Sequence, residues 1–202
     1  MSQPIEPQKL VRDGRLPFLV FEGLDGSGKS LTARTLADRF SATLLETPPS
    51  DLKPLRESID TQAGLMSRFL YYLLSASIVS DEARGLVQRI PVVVDRYYYT
   101  TLASHRAAEL EGDLEGIVRG IRLLEPDIVF CIDCSDEEER TRRLHQRGWT
   151  VNDHRFRPLI DKIRQAYRAF PNVVHIDTAR LSPEGVVAAV EDHIRAHYGL
   201  GS

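Results

Sequence analysis

The chain has 202 residues, 42% of them hydrophobic and 27% charged, with a formal net charge of -3. This is the composition of an ordinary globular domain, and it excludes a disordered polymer, a collagen and a coiled coil. Every apolar run breaks well short of the length that spans a bilayer, and so small a net charge gives no reason to expect a nucleic-acid partner or a membrane.

Residues 1–15 mix acids with bases and contain no apolar core, so they read as a frayed tail and not as a signal peptide. That leaves 16–202 as one domain. Residues 17–21 are a short apolar strand, followed by glycines and a helix over 29–40. A second strand at 43–46 ends in Pro48-Pro49. Apolar residues from Leu65 to Val87 recur at threes and fours, which predicts one long amphipathic helix. Residues 91–95 are a core strand, and helices follow over 100–110 and 113–124. A fourth strand at 127–132 leads to a helix over 136–147 capped by Ser135 or Asp136. A helix over 158–170, a strand at 172–176 and a helix over 183–197 complete the chain. Five apolar strands separated by helices predict an α/β protein with a five-stranded parallel sheet flanked by helices.

The chemistry begins where the first strand ends. Gly23-Leu24-Asp25-Gly26-Ser27-Gly28-Lys29-Ser30 matches G-x-x-x-x-G-K-[ST], between a strand and a helix as the P-loop requires. Glycines let successive backbone N–H groups turn toward phosphate oxygens, and the helix N-terminus adds its positive dipole end. Lys29 is expected to reach the β- and γ-phosphates of ATP, and the Ser30 hydroxyl to ligate Mg²⁺. The competing reading is a chance glycine-rich turn.

A second station is Asp95-Arg96-Tyr97, at the end of the third apolar strand, where open α/β sheets bind ligands. Asp95 there can hold Mg²⁺, and Arg96 can clamp a phosphoryl acceptor. The plainer reading is an Asp–Arg pair that caps the next helix. One of Tyr97, Tyr98 and Tyr99 can stack on a base, and the others then only pack. No Asn-Lys pair exists to begin a guanine signature, and the chain length suits a small kinase.

Charge is unevenly spread. Residues 140–168 carry nine Lys or Arg against two Asp, a local +7 on a chain whose remainder sums to -10. That suggests a local anionic ligand, with a solvated helix face as the alternative. Cys131 and Cys134 spell C-x-x-C, but Cys131 sits in a predicted buried strand and no second pair completes a zinc site. Two inert reduced thiols and a cytoplasmic address are the expectation.

These motifs resemble a family. Phe21 to Ser30 looks like the P-loop of thymidylate kinases, and Asp95-Arg96-Tyr97-x-x-Thr100-x-x-Ala103 looks like their second motif. Pro126-Asp127, Leu144-x-x-Arg147-Gly148 and Ile176-Asp177 are similar, in order along most of the chain. The resemblance implies a P-loop kinase fold with a helical lid, here at about 147–157. It implies a homodimer and transfer of a phosphoryl group from MgATP to a nucleoside monophosphate. Asp25 would then lie near the acceptor sugar and Arg96 near its phosphate. Tyr97, Tyr99, Thr100 and His105 would join the acceptor site, and Arg143 the nucleotide site. Relatives without a basic residue inside the P-loop take a catalytic arginine from the lid, and Arg147, Arg155 and Arg157 are the candidates.

Three departures concern the acceptor. Leu45-Glu46 stands where the family usually has an Arg before Glu-Pro. Leu73 to Ile78, with Leu74 at the place of a base-stacking Phe, lacks both that ring and an Arg a turn later. Ser104-His105 replaces Tyr-Gln. The expectation is a rebuilt acceptor site, poor for thymidine monophosphate. Glu46 also opens a second reading, a nucleoside or small-alcohol kinase of the same fold with Glu46 as base. A non-catalytic nucleotide-binding module is the third, and it predicts loss of Lys29, Ser30, Asp95 or Arg96, all of which are present.

Overall fold

Phe18–Glu22 (β1) is wholly buried, and its neighbours explain why. A computed structural model, describing residues 5–200, places it at the centre of five parallel strands in the order β2-β3-β1-β4-β5. The others are Thr43–Glu46 (β2), Val92–Asp95 (β3), Ile128–Asp133 (β4) and Val173–Asp177 (β5). Alternate side chains of β1 enter opposite cores. Phe18 and Val20 face Phe69, Leu73, Val92, Val94 and Leu102. Leu19 and Phe21 face Leu36, Phe40, Val93, Phe130, Ile176 and Val190. A strand buried on both faces has to be apolar throughout, which is why its sequence is a run and not an alternation. Full burial of such side chains stabilises by about 1.5–3 kcal/mol each, and Phe21→Ala would cost ~3–5 kcal/mol.

Nine helices among the described residues cover the sheet. They are Lys29–Phe40 (α1), Lys53–Gln62 (α2), Leu65–Leu86 (α3), Tyr98–Ala107 (α4), Leu114–Ile121 (α5), Glu137–Arg147 (α6), Val151–Phe156 (α7), Ile160–Arg168 (α8) and Pro183–His197 (α9). α1, α9 and the strands between them enclose one core, and α3, α4 and α5 the other. Among the described residues no helix is long and apolar enough to cross a membrane.

The structure differs from the sequence reading in two places. Residues 5–15 are not a frayed tail: Leu10 is 1% exposed and packs with Leu19 and Phe21, and Arg15 donates to both carboxylate oxygens of Asp127 at 2.9 Å. The first four residues of that predicted tail lie outside the described residues. α2 was not anticipated, whereas α7 falls inside the 147–157 span expected to hold a helical lid. Of the two caps offered for α6, Asp136 is the one used, accepting from the Glu139 N–H at 3.0 Å.

Because all strands run one way, their C-terminal ends share an edge. Phe21 lies beside Asp95 in register, so the loop after β1 and the Asp95-Arg96 pair after β3 emerge side by side.

Candidate active site

The loop after β1 is shaped by its glycines. Gly23 has φ +130°, and a Cβ on it would stand 2.0 Å from the Ile132 carbonyl oxygen, so no other residue fits. Gly28, at φ +92°, turns the chain into α1. The rim of the loop is held from α6 and β5. Arg140 donates to the Asp25 carbonyl at 2.9 Å, and Thr178 Oγ1 to the Ser27 carbonyl at 2.9 Å. Arg143 donates to Thr178 Oγ1 at 3.1 Å and to Glu139 at 2.8 Å, so it braces the loop's outer edge. Inside the loop the Ser27 hydroxyl is buried with no hydrogen-bond partner among the described residues.

Lys29 is 4% exposed; its Nζ donates to the Asp95 carboxylate and lies 3.4 Å from Ser30 Oγ. Burial and the Arg96 charge push the ammonium below its ordinary value, against the pull of Asp95 and Asp25. Burial would raise the Asp95 carboxyl, but Lys29 and Arg96 hold it down. A hydroxyl and a carboxylate beside one lysine are hard oxygen donors. They fit Mg²⁺, with phosphate and water oxygens completing the shell. Bound there, Mg²⁺ would neutralise charge on the phosphates.

Arg96 has φ +71°, a left-handed conformation that costs a side-chain-bearing residue about 1–3 kcal/mol. The surroundings over-determine it. Its guanidinium donates to Asp25 Oδ1 at 2.7 Å, to the Gly23 carbonyl at 3.1 Å and to Thr100 Oγ1 at 3.0 Å. Thr47 Oγ1 donates to the Arg96 carbonyl at 3.0 Å. Thr100 in turn donates to Glu22, a fully buried carboxylate that also accepts from the Tyr97 N–H at 2.8 Å. The Tyr167 hydroxyl lies 2.7 Å from Thr100 Oγ1 and accepts from the Gly23 N–H at 3.2 Å. Neither Asp95 nor Arg96 caps α4, whose first turn has no side-chain cap.

Beyond Arg96 a cleft opens from Gly23 and Asp25 to His105. Its walls are Arg56 and Asp60 of α2, Arg68 and Tyr72 of α3, Thr101 and His105 of α4, and Asn152 and Arg155 of α7. Asp60, 5% exposed, ties these elements together. Its carboxylate accepts from Tyr72 at 2.8 Å and Asn152 at 2.8 Å, and its carbonyl accepts from Arg155. Arg147 sits elsewhere: it donates to Asp153 at 2.6 Å and stands 3.6 Å from Asp25. The three lid arginines therefore face different places: Arg147 the P-loop, Arg155 the α2 wall, and Arg157 the Trp149 ring, 5.6 Å from its centroid.

Several expected residues fall outside this cleft. Glu46 is exposed and ion-paired with Lys53, because the β2 edge turns its side chain away. Leu74 is 52% exposed, since α3 presents Arg68 and Tyr72 to the cleft and the face bearing Leu74 to the outside. Tyr99 packs against Tyr98 and Phe170. Tyr97 lines the cleft but is 1% exposed, its hydroxyl donating to the Leu124 carbonyl at 3.2 Å, so it is mainly a core ring. Arg56, Asp60, Arg68, Tyr72, Asn152 and Tyr167 were missed by the sequence reading. The ring-then-arginine pair sought at 73–78 has no counterpart there: Arg68 precedes Tyr72 on α3, and the Tyr72 hydroxyl is bonded to Asp60. Both cysteines are buried and free, and burial pushes the Cys131 thiol up.

Comparison with known proteins agrees with this geometry. Residues 21–190 match the family model described as Thymidylate kinase. A probable thymidylate kinase of Methanocaldococcus jannaschii is 28% identical over 175 residues, covering 84% of this chain and 90% of that protein. The human mitochondrial UMP-CMP kinase 2 is 32% identical over 148 residues, 69% of this chain but 32% of the longer human protein. Among solved structures, thymidylate kinase from Candida albicans superposes with a TM-score of 0.73 at 19% identity, covering 91% of this chain and 92% of that one.

Proposed function

The chain belongs to the thymidylate kinase family and is a nucleoside monophosphate kinase, and from that premise we propose that it phosphorylates a pyrimidine nucleoside monophosphate from MgATP. The observation that carries the acceptor reading is the cationic cleft beside the P-loop, where Arg56, Arg68, Arg96 and Arg155 surround a single opening. Arginine forks suit a phosphate. The names of the relatives, thymidylate kinases and a UMP-CMP kinase, support a pyrimidine base.

In this reading the acceptor phosphate oxygen attacks the γ-phosphorus of ATP, and the β–γ bridging bond breaks. The attacking oxygen is already anionic, so no general base is required. Arg96 orients it, fixed by Asp25 and Thr100. Lys29 and the P-loop amides hold the phosphates, with Ser30 and Asp95 holding Mg²⁺. Arg147, at the mouth of the P-loop, meets charge that builds on the transferred group. The acceptor site is rebuilt relative to the family pattern, with Arg56 and Arg68 acting where other arginines are usual.

The alcohol-kinase reading loses its support. It needs a free carboxylate near the hydroxyl, and Glu46 lies outside the cleft. Asp25 is spoken for by Arg96. We further propose that 147–157 is the lid of a single domain, and that the protein is a cytoplasmic homodimer. Exposed Met66, Leu70, Leu74 and Ile78 make an apolar ridge along α3 that a second copy would cover. ADP release with MgATP across a panel of nucleoside monophosphates and free nucleosides tests the function. Turnover of free nucleosides in preference to every monophosphate would overturn it.

A further inference from the structure

Glu22 closes the apolar run of β1 as a fully buried acid. A buried charge is costly unless hydrogen bonds compensate it. Here it accepts from two neutral donors, the Tyr97 N–H at 2.8 Å and the Thr100 hydroxyl. Burial pushes its carboxyl up, while Thr100, the Arg96 charge, the Tyr97 N–H and the Lys29 charge pull it back down.

The protons around Thr100 run one way. Arg96 can only donate, so Thr100 Oγ1 accepts from it at 3.0 Å. The Tyr167 hydroxyl accepts from the Gly23 N–H at 3.2 Å, and burial pushes its phenol well up, so it keeps its proton. That proton points to Thr100 Oγ1, 2.7 Å away. Both lone pairs of Thr100 Oγ1 are then filled, and its own proton goes to Glu22. The ionised carboxylate is the end toward which the chain points. From its other oxygen Glu22 fixes the amide of Tyr97, the residue after Arg96 with its φ of +71°. One carboxylate thus holds the backbone just beyond Arg96 and, through Thr100, one arm of its guanidinium. The other partners of that guanidinium, Asp25 and the Gly23 carbonyl, belong to the phosphate loop. Glu22 belongs to the central strand, the more rigid support.

We propose that Glu22 is a positioning residue for phosphoryl transfer: acting through Thr100 and the Tyr97 amide, it holds the Arg96 guanidinium at the acceptor phosphate while touching neither substrate. The inference rests on the reading of Arg96 as the arginine that orients that phosphate. Glutamine cannot take the place of Glu22, because its amide is half acceptor and half donor. With its oxygen on Thr100, its NH₂ faces the Tyr97 N–H. Turned over, its NH₂ becomes a third donor to Thr100 Oγ1, and Arg96 or Tyr167 must let go.

The experiment measures ADP release from MgATP with uridine, cytidine and thymidine monophosphates, together with melting temperatures. It uses the wild-type chain, Glu22→Gln, Thr100→Val, Thr100→Ser and the double variant Glu22→Gln/Thr100→Val. Glu22→Gln should lower kcat/KM for the best of these acceptors by about 10- to 100-fold, with the KM for ATP within about twofold of wild type. Thr100→Val should show the same acceptor-specific loss, and Thr100→Ser, which keeps the hydroxyl, should recover most of it. The double variant should lose little more than the worse single one, because both changes cut one chain. A glutamate that only supports the fold would lower the melting temperature and leave kcat/KM of the folded fraction unchanged. That result overturns the proposal, as do single losses that multiply in the double variant. Should Glu22→Gln not fold, Thr100→Val against Thr100→Ser reads the next link of the chain, and equal activity of those two overturns it. Arg96→Ala separates the proposal from its premise. If it matches wild type on every monophosphate, the reading of Arg96 and the proposal fall together; if it is impaired while Glu22→Gln is not, only the Glu22 assignment falls.

Discussion

Arg96 and Asp25 meet across the gap between the ends of β3 and β1, the guanidinium donating to Oδ1 at 2.7 Å. Burial works to raise the Asp25 carboxyl, but the charges of Arg96, Lys29 and Arg147 outweigh it and hold the group at about 2, below its ordinary 3.8. A depressed acid stabilises the fold wherever it is ionised. Its contribution is complete above about pH 4 and is lost as pH falls toward 2. A depression from 3.8 to about 2 corresponds to ~2.5 kcal/mol. Asp25→Asn should lower stability at pH 7 by about that amount and flatten the acid limb between pH 4 and 2. Urea melts across pH read both effects, and an unchanged acid limb would mean that the pair is not coupled to folding.

Lys29 and Asp95 form a second pair, at the phosphate end. Lys29→Ala should reduce kcat by at least about 10²-fold, by analogy with other preorganised charge stabilisers. Far-UV circular dichroism should remain native, because both cores lie below the loop. A variant with near wild-type kcat would remove Lys29 from the chemistry.

The lid arginines should separate kinetically. Arg147 stands 3.6 Å from Asp25, while Arg155 bonds Asn152 at 3.0 Å and the Asp60 carbonyl. Arg147→Ala should lower kcat with little change in acceptor KM, and Arg155→Ala should raise acceptor KM. Amide exchange over 148–157 should slow when an ATP analogue and a monophosphate bind together. Equal exchange with and without them would deny the lid its role.

How much of this was legible depends on distance along the chain. The P-loop is local: eight consecutive residues fix its turn, its cation and its hydroxyl, although the crowding that demands Gly23 comes from Ile132 on β4. The Asp95-Arg96 station was readable because strand ends converge in a parallel sheet. The acceptor cleft was not. Its walls come from α2, α3, α4 and α7, and which face of α3 turns inward depends on how that helix rolls against β1 and β3. The apolar periodicity of 65–87 marked the face that packs in the core, Phe69, Leu73, Ala76, Val79, Ala83 and Val87, but not that Arg68 and Tyr72 beside it reach the cleft. α2 was hidden by its polarity: only Leu55 and Ile59 punctuate Lys53–Gln62 after its opening proline. α7 is six residues held by the Thr150–Asp153 capping box, too short for any period to show.

The last prediction follows from that roll of α3. Leu74 points outward at 52% exposure, whereas Tyr72 points into the cleft and donates to Asp60. Burial, helped by Asp60 and opposed by Arg56, pushes the Tyr72 phenol up to about 12, so it stays a protonated donor at any working pH. Tyr72→Phe keeps the ring but removes the proton that Asp60 accepts. Asn152 remains on the other oxygen, so the carboxylate is half-satisfied at a cost of about 1–3 kcal/mol. Part of that cost should appear as lower stability. The rest should appear as a weaker hold of α7 on α2, raising acceptor KM several-fold, with the KM for ATP unchanged. Leu74→Ala should alter neither constant for any acceptor. If instead Leu74→Ala selectively weakens thymidine monophosphate while Tyr72→Phe is silent, the inward face of α3 is the one bearing Leu74.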